Sequence, residues 1–250
     1  MINTVLFDLD NTLALYDEMK FAQYYFPRLA ARFADVLPTE KFAERLINST
    51  LLVHQNDGSR TNLELFLQLF GDGLEISQAE VWKRFNAFYD EDFSWFKEIV
   101  VKPDRSAEVM HELLDMKLRL AVATNPVLPL NVQMKRLAWS GLAGIDFALV
   151  TSIENMNYCK PHLGFYRQVC QILGVRPEEC LMVGDDPAND MVAAKIGMKT
   201  YLTQDSLNHV EKPLQVSKQV IGDTTEGIPP ADFKGPIAGV PEAVRALLAN

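Results

Sequence analysis

Histidine and cysteine are scarce in this 250-residue chain, and neither is spaced to hold a metal. The three cysteines, Cys159, Cys170 and Cys180, form no C-x-x-C pair and are odd in number. That argues against a disulfide framework or a zinc knuckle, and leads us to expect inert core thiols in a reducing cytoplasm. No two of the four histidines, His54, His111, His162 and His209, share a metal-ligand spacing. A run of about 18 apolar residues is missing too, so no transmembrane helix is expected. The N-terminus lacks a basic stretch and reaches acid by Asp8, unlike a signal peptide. Positive charge is in deficit: 24 Lys and Arg against 33 Asp and Glu give a net −9. A nucleic-acid or anionic-membrane surface needs a basic patch, so neither partner is expected. What remains, 48% hydrophobic and 23% charged, is the composition of an ordinary soluble globular protein.

Short apolar runs are what the chain does have. They lie at residues 4–9, 118–123, 147–150, 180–183, 200–203 and 219–221. They are continuous rather than alternating, as in strands buried on both faces of a parallel sheet. Helical periodicity at residues 104–116, 128–139 and 161–173 separates several of them, the last stopping at Gly174. A short helix at 241–248 ends the chain. This alternation predicts a doubly wound α/β fold around a parallel sheet. Residues 15–99 break it, with no strand and four helical stretches at 18–35, 39–52, 62–70 and 78–90. Two begin with capping-box signatures, Thr61 with Glu64 and Ser77 with Glu80. We therefore expect an inserted all-helical domain at 15–99, with 1–14 and 100–250 forming the core and hinges near 14–16 and 100–103.

In open α/β sheets ligands bind beyond the carboxyl ends of the strands. The residues that follow each predicted strand are chemically consistent. Asp8-Leu9-Asp10-Asn11-Thr12 follow the first, Thr124 and Asn125 the second, Lys160 a loop after the third, and Gly184-Asp185-Asp186 with Asp190 the fourth. Carboxylates held this close repel unless a cation is present. An oxygen-only donor set suits a hard ion, most simply Mg²⁺, which in turn implies a phosphoryl group. Lys160, Thr124 and Asn125 then supply a cradle for phosphate oxygens. Asp8 is placed to attack phosphorus, and Asp10 to protonate the leaving alcohol.

With these residues the chain resembles the haloacid dehalogenase-like (HAD) hydrolase superfamily, whose first motif is D-x-D-x-T. Thr124, Lys160 and the Asp185-Asp186…Asp190 cluster match the other three motifs in order. The segment at 15–99 is similar to the family's helical C1 cap. The resemblance implies a HAD-like Rossmannoid core and a Mg²⁺-dependent phosphatase that acts on a small phosphorylated metabolite. It implies Asp8 as nucleophile and metal ligand, and Asp10 as general acid/base with its main-chain carbonyl on the metal. It also implies Thr124 and Lys160 as phosphoryl binders, Asp185 or Asp186 as the direct metal ligand, and Asp190 as the residue that orients Lys160 or metal-bound water. Asn11 stands where the commonest motif has Gly; Asn tolerates left-handed backbone.

Three other readings use the same residues. A sugar phosphomutase generally carries a His on the linker after the first motif, and no His precedes His54. A 2-haloacid dehalogenase attacks carbon and needs neither Asp10 nor the full acidic cluster. A non-catalytic phosphate-binding regulator has no need of an intact set. The cap is expected to set specificity by closing over the leaving group, with Tyr16 and Arg60, on the 56–60 loop, as its candidate substrate contacts. The sequence leaves monomer and homodimer both open.

Overall fold

The computed structural model describes residues 1–205 and 227–249. A parallel sheet of six strands forms the centre, ordered β3-β2-β1-β4-β5-β6. The strands are β1 Thr4–Phe7, β2 Arg119–Val122, β3 Leu149–Val150, β4 Cys180–Gly184, β5 Lys199–Thr203 and β6 Phe233–Gly235. β1 and β4 are buried along their whole length, which explains their unbroken apolar runs. Five strands fall on predicted runs. The sixth, β6, was not predicted, and the run at 219–221 lies outside the described residues. β6 is only three residues, Phe233-Lys234-Gly235, too short and too polar to leave a hydrophobic signature.

Helices pack on both faces: α5 Ser106–Asp115, α6 Leu130–Leu137, α7 Leu163–Leu173 and α8 Val240–Leu248. α7 ends at Gly174, whose φ of 66° glycine adopts without strain. One apolar cluster, with Val5, Phe7, Val122 and Val183, packs under α5 and α8. Leu6, Ala121 and Met182 point to the opposite face, against Phe165 and Val169 of α7.

Between β1 and α5 run four helices, α1 Glu18–Ala31, α2 Thr39–His54, α3 Asn62–Gly71 and α4 Gln78–Glu91, and a short 3-10 turn, Phe93–Glu98. α1 starts because the Asp17 carboxylate accepts from the Met19 and Lys20 amides. At α3 the capping box forms in both directions between Thr61 and Glu64. At α4 only half of it forms: Ser77 accepts from the Glu80 amide, while the Glu80 carboxylate turns to Arg84 and Lys83. The helices enclose an aromatic core in which Phe33 touches Phe42, Phe70 and Phe85, with ring centroids 5.1–5.4 Å apart. That core continues onto Val132, Ile153 and Cys159 of the sheet portion.

The chain leaves and re-enters the sheet portion along one line. Leu15 and Val101 exchange main-chain hydrogen bonds of 2.8 and 2.7 Å. The three cysteines are unpaired and buried. No helix among the described residues is long and apolar enough to cross a membrane.

Candidate active site

The register of the sheet assembles the site. Phe7 pairs with Val122 on one side and Val183 on the other. The residues just past them, Asp8, Ala123-Thr124 and Gly184-Asp185, therefore emerge at one level. Strand order reverses at β1, and the crevice at such a switch point is where α/β sheets bind ligands.

Lys160 sits at the middle of this edge with 1% of its side chain exposed. Its ammonium donates to Asp8 Oδ1 at 2.9 Å and to Asp190 Oδ1 at 2.6 Å. Burial pulls a lysine pKa down, but attraction to Asp190 and then Asp8 outweighs it, so Lys160 is held above its ordinary value and stays charged. The carboxyl of Asp8 is pushed up to about 7, chiefly by burial. Lys160 opposes that rise, while Asp190 and Asp10 add to it. Asp190 is raised as well, again mainly by burial. Oxygens of Asp8, Asp185 and Asp190 lie within 4.8 Å of one another. Gly184 makes this packing possible, because a Cβ there would lie 2.2 Å from Asp190 Oδ2.

The two adjacent acids have different places. Asp185 belongs to the cluster and accepts from the Thr12 hydroxyl at 3.3 Å. Asp186 turns to its own loop, where it accepts from the Ala188 amide at 2.8 Å and from the Asn189 side chain at 3.0 Å. Its amide in turn donates to Asp190 Oδ2 at 3.1 Å. The loop after β1 turns through Asn11 at φ 54°, the left-handed conformation expected of that position.

Thr124 is buried, and its hydroxyl lies 3.4 Å from Asp10 Oδ2. Asn125 accepts the Lys160 amide at 2.9 Å, so it fixes the lysine loop directly. Asp10 has a set of partners that sequence reasoning missed. Its Oδ1 accepts from both the Tyr16 hydroxyl and the Arg136 guanidinium. Arg136, on α6, has 2% of its side chain exposed and also donates to Gln133 Oε1 at 2.8 Å. It lies over the rings of Phe96 and Tyr16, 5.4 and 5.8 Å from their centroids. Burial, and next the charge of Asp10, raise Tyr16 well above the ordinary tyrosine pKa, so it remains a donor. The signal for Arg136 was in the helix period: it stands four residues after Val132, on the buried stripe of α6, where a charge requires a partner.

Arg60 is not gathered into this site. It is exposed and donates to Gln68 Oε1 at 2.5 Å. The 56–60 loop that carries it does reach the sheet portion: Asn157 donates to the Gly58 carbonyl at 2.9 Å, and the Asn62 amide to the Met156 carbonyl at 2.9 Å.

A cavity of about 310 Å³ opens beside Asp10, between the helical insert and the sheet edge. Phe21, Tyr25, Leu46, Phe66, Trp82 and Phe85 form most of its helical wall. Asp10, Tyr16, Glu18 and Arg136 also line it.

The chain has relatives among known proteins in both sequence and fold. The chain is 26% identical over 207 residues to the pyrophosphatase PpaX of Bacillus cereus strain AH820, covering 80% of this chain and 82% of that one. It shares its fold with a 2-haloacid dehalogenase from Pseudomonas syringae pv. Tomato DC3000, at TM-score 0.60 and 21% identity over 99% of this chain and all of that one. It shares it also with a HAD phosphatase from Thermococcus onnurineus, at TM-score 0.55 and 19% identity over 97% of this chain and 98% of that one. The haloacid dehalogenase-like hydrolase family profile matches residues 2–197, from the start of β1 through the acidic loop after β4. The chain is a hydrolase that belongs to the haloacid dehalogenase-like family.

Proposed function

We propose that the chain is a Mg²⁺-dependent phosphatase that hydrolyses a small phosphorylated metabolite through an aspartyl-phosphate. The observation that carries this reading is the buried Asp8–Lys160–Asp190 bridge at the sheet's switch point, with Asp185 gathered beside it. One lysine faces three carboxylates there, so the cluster is over-supplied with negative charge, and its donors are all oxygen. Both properties fit a hard divalent cation. Asp8 and Asp185 would hold the ion, and the family resemblance adds the Asp10 carbonyl. Bound there, Mg²⁺ would neutralise charge on the phosphoryl oxygens.

The protein's own groups account for the remaining chemistry. The Asp8 carboxylate attacks phosphorus, and the bond from phosphorus to the ester oxygen breaks. Asp10 gives a proton to that oxygen as the alcohol leaves. In the second half a water attacks the acyl phosphate, Asp10 takes its proton, and orthophosphate departs with Asp8 regenerated. Thr124 and Lys160 would hold phosphoryl oxygens throughout, and Asp190 keeps Lys160 aimed at Asp8. Asp10, with a proton to give and take, separates this reading from a haloacid dehalogenase, which attacks carbon and needs no acid at that position.

The division into a core at 1–14 and 100–250 and a cap at 15–99 belongs to the same proposal. It is supported by the aromatic core of the insert and the β-bridge between Leu15 and Val101 at its base. So does a cytoplasmic location, which the unpaired, buried cysteines suit. The test is hydrolysis of an aryl phosphate by purified protein with Mg²⁺. Asp8→Asn is expected to abolish it and EDTA to suppress it. Turnover that survives either change refutes the mechanism.

A further inference from the structure

The geometry points to an uncharged, apolar alcohol as the leaving group, so that the substrate is a phosphomonoester of an alkyl or aryl alcohol. This inference rests on the phosphatase reading and deepens it. A general acid must touch the leaving-group oxygen, so the space bordered by Asp10 is the leaving-group compartment. That space is the cavity of about 310 Å³ beside Asp10, within the size range of small-molecule sites. Asp8, Lys160 and Asp190 do not line it; they stand on the phosphoryl side of Asp10.

The chemistry of the wall follows from its residues. Phe21, Tyr25, Leu46, Phe66, Trp82 and Phe85 offer rings and methyls. The hydroxyls present are engaged within the protein. Those of Tyr25 and Tyr89 bond each other at 2.7 Å, Thr50 donates to the Leu46 carbonyl at 2.8 Å, and Tyr16 donates to Asp10. Among the described residues of the wall Arg136 is the one cation, and it is paired with Asp10. Glu18 adds a second carboxyl group to the lining beside Asp10, and it accepts from the Asn11 side chain at 3.0 Å. A leaving group that is itself an anion, such as inorganic phosphate from pyrophosphate or a carboxylate from phosphoglycolate, would meet two acids and no uncommitted base. A polyhydroxy alcohol would find few partners for its hydroxyls against the rings.

The experiment is a series of n-alkyl phosphates from methyl to hexyl, assayed with Mg²⁺. Their leaving alcohols have nearly one acidity, so intrinsic reactivity stays constant along the series. We expect kcat/KM to rise about fourfold per methylene until the chamber is full. Pyrophosphate, phosphoglycolate and glycerol phosphate should lie on the order of 10- to 100-fold below hexyl phosphate. Ala22→Trp, which puts an indole into the chamber wall, should lower the hexyl-to-methyl ratio. Calorimetric binding of 2-naphthol, weakened by the same substitution, reads the chamber without turnover. A flat alkyl series, or preference for pyrophosphate or phosphoglycolate, overturns the inference and leaves the phosphatase standing. Naphthol binding with no ester hydrolysed, aryl phosphate included, sinks the phosphatase reading and the substrate class with it, leaving only an apolar chamber. If Ala22→Trp does not fold, the wild-type series and naphthol binding decide alone.

Discussion

Lys160→Met removes the one cation between Asp8 and Asp190 while keeping most of the side-chain volume. In the wild type the ammonium is 1% exposed and bonds both carboxylates, at 2.9 and 2.6 Å. Removing one partner of a buried ion pair costs about 3–5 kcal/mol, because the charge left behind is uncompensated. For a domain this size that corresponds to a fall in Tm on the order of 10 °C. The loss should depend on pH. The Asp8 carboxyl, ordinarily at 3.8, is held at about 7 in the folded protein even with Lys160 present, and Asp190 is raised too. Between those values the folded chain binds more protons than the unfolded one, so stability falls as pH rises from about 4 through about 7.

The variant lacks the group that opposes this rise, so its carboxyls keep their protons to higher pH and its stability goes on falling above about pH 7. Below about pH 4 both carboxyls carry protons, the wild-type ammonium has lost its counter-charges, and the gap closes. Urea unfolding at about pH 4, 6 and 8 in EDTA measures it, provided the slopes agree between the two proteins. Excess Mg²⁺ at pH 8 should narrow the gap, since the proposal puts the ion among the same carboxylates. A gap that is constant with pH, or below about 1 kcal/mol at pH 8, would falsify the account of Lys160 as the charge that holds the cluster together.

Gly184→Ala is expected to displace Asp190, because the added Cβ would lie 2.2 Å from its carboxylate oxygen. The cost should be about 1–3 kcal/mol, with turnover falling more than stability suggests; unchanged kcat would show that Asp190 does not position Lys160. Arg136→Met removes a partner of Asp10 Oδ1. Its activity loss should be larger on alkyl than on activated aryl phosphates, up to the roughly 10²–10⁴-fold that a positioned acid contributes, and an equal loss on both would refute action through Asp10.

Several parts of the site read from sequence are residues that follow a strand directly, while Lys160 and Asp190 lie further along the loops after β3 and β4. Asp8, Thr124 and Asp185 lie one or two residues past β1, β2 and β4, so apolar runs located them before any contact was known. The helical insert was legible for a related reason: its aromatics repeat with the helix period, and all four helices lie within a few residues of the expected bounds. Two kinds of information were not local. The choice between Asp185 and Asp186 depends on which carboxylate the turn to Asn189 claims, and the spacing to Asp190 permits both. Arg136 and Asp10 are 126 positions apart, and only the packing of α6 against the linker brings them together. Arg60 shows the converse. A cation on a loop between helices is a reasonable substrate contact by composition, but the start of α3 places Gln68 where it can take that guanidinium.

The two halves of the site differ in polarity, and they meet at one carboxylate. Asp8 and Lys160 are almost fully buried, while 38% of the Asp10 side chain is accessible on the cavity side. On the proposed reading a phosphomonoester is therefore oriented before its shape is recognised. Its dianionic end finds the Lys160 ammonium at the sheet edge, and its organic end finds apolar area beyond Asp10. The groups that hold Asp10 come from both sides of that boundary: Tyr16 from the linker into the helical insert, Arg136 from α6 on the sheet. Any movement of the insert that carries Tyr16 must release or reseat the carboxylate, since Tyr16 also packs on Phe21 and Phe96 of the insert, 5.5 and 5.0 Å between ring centroids. On the same reading the acid that protonates the leaving group is tied to the wall that encloses it, so closure over the alcohol and alignment of Asp10 would go together.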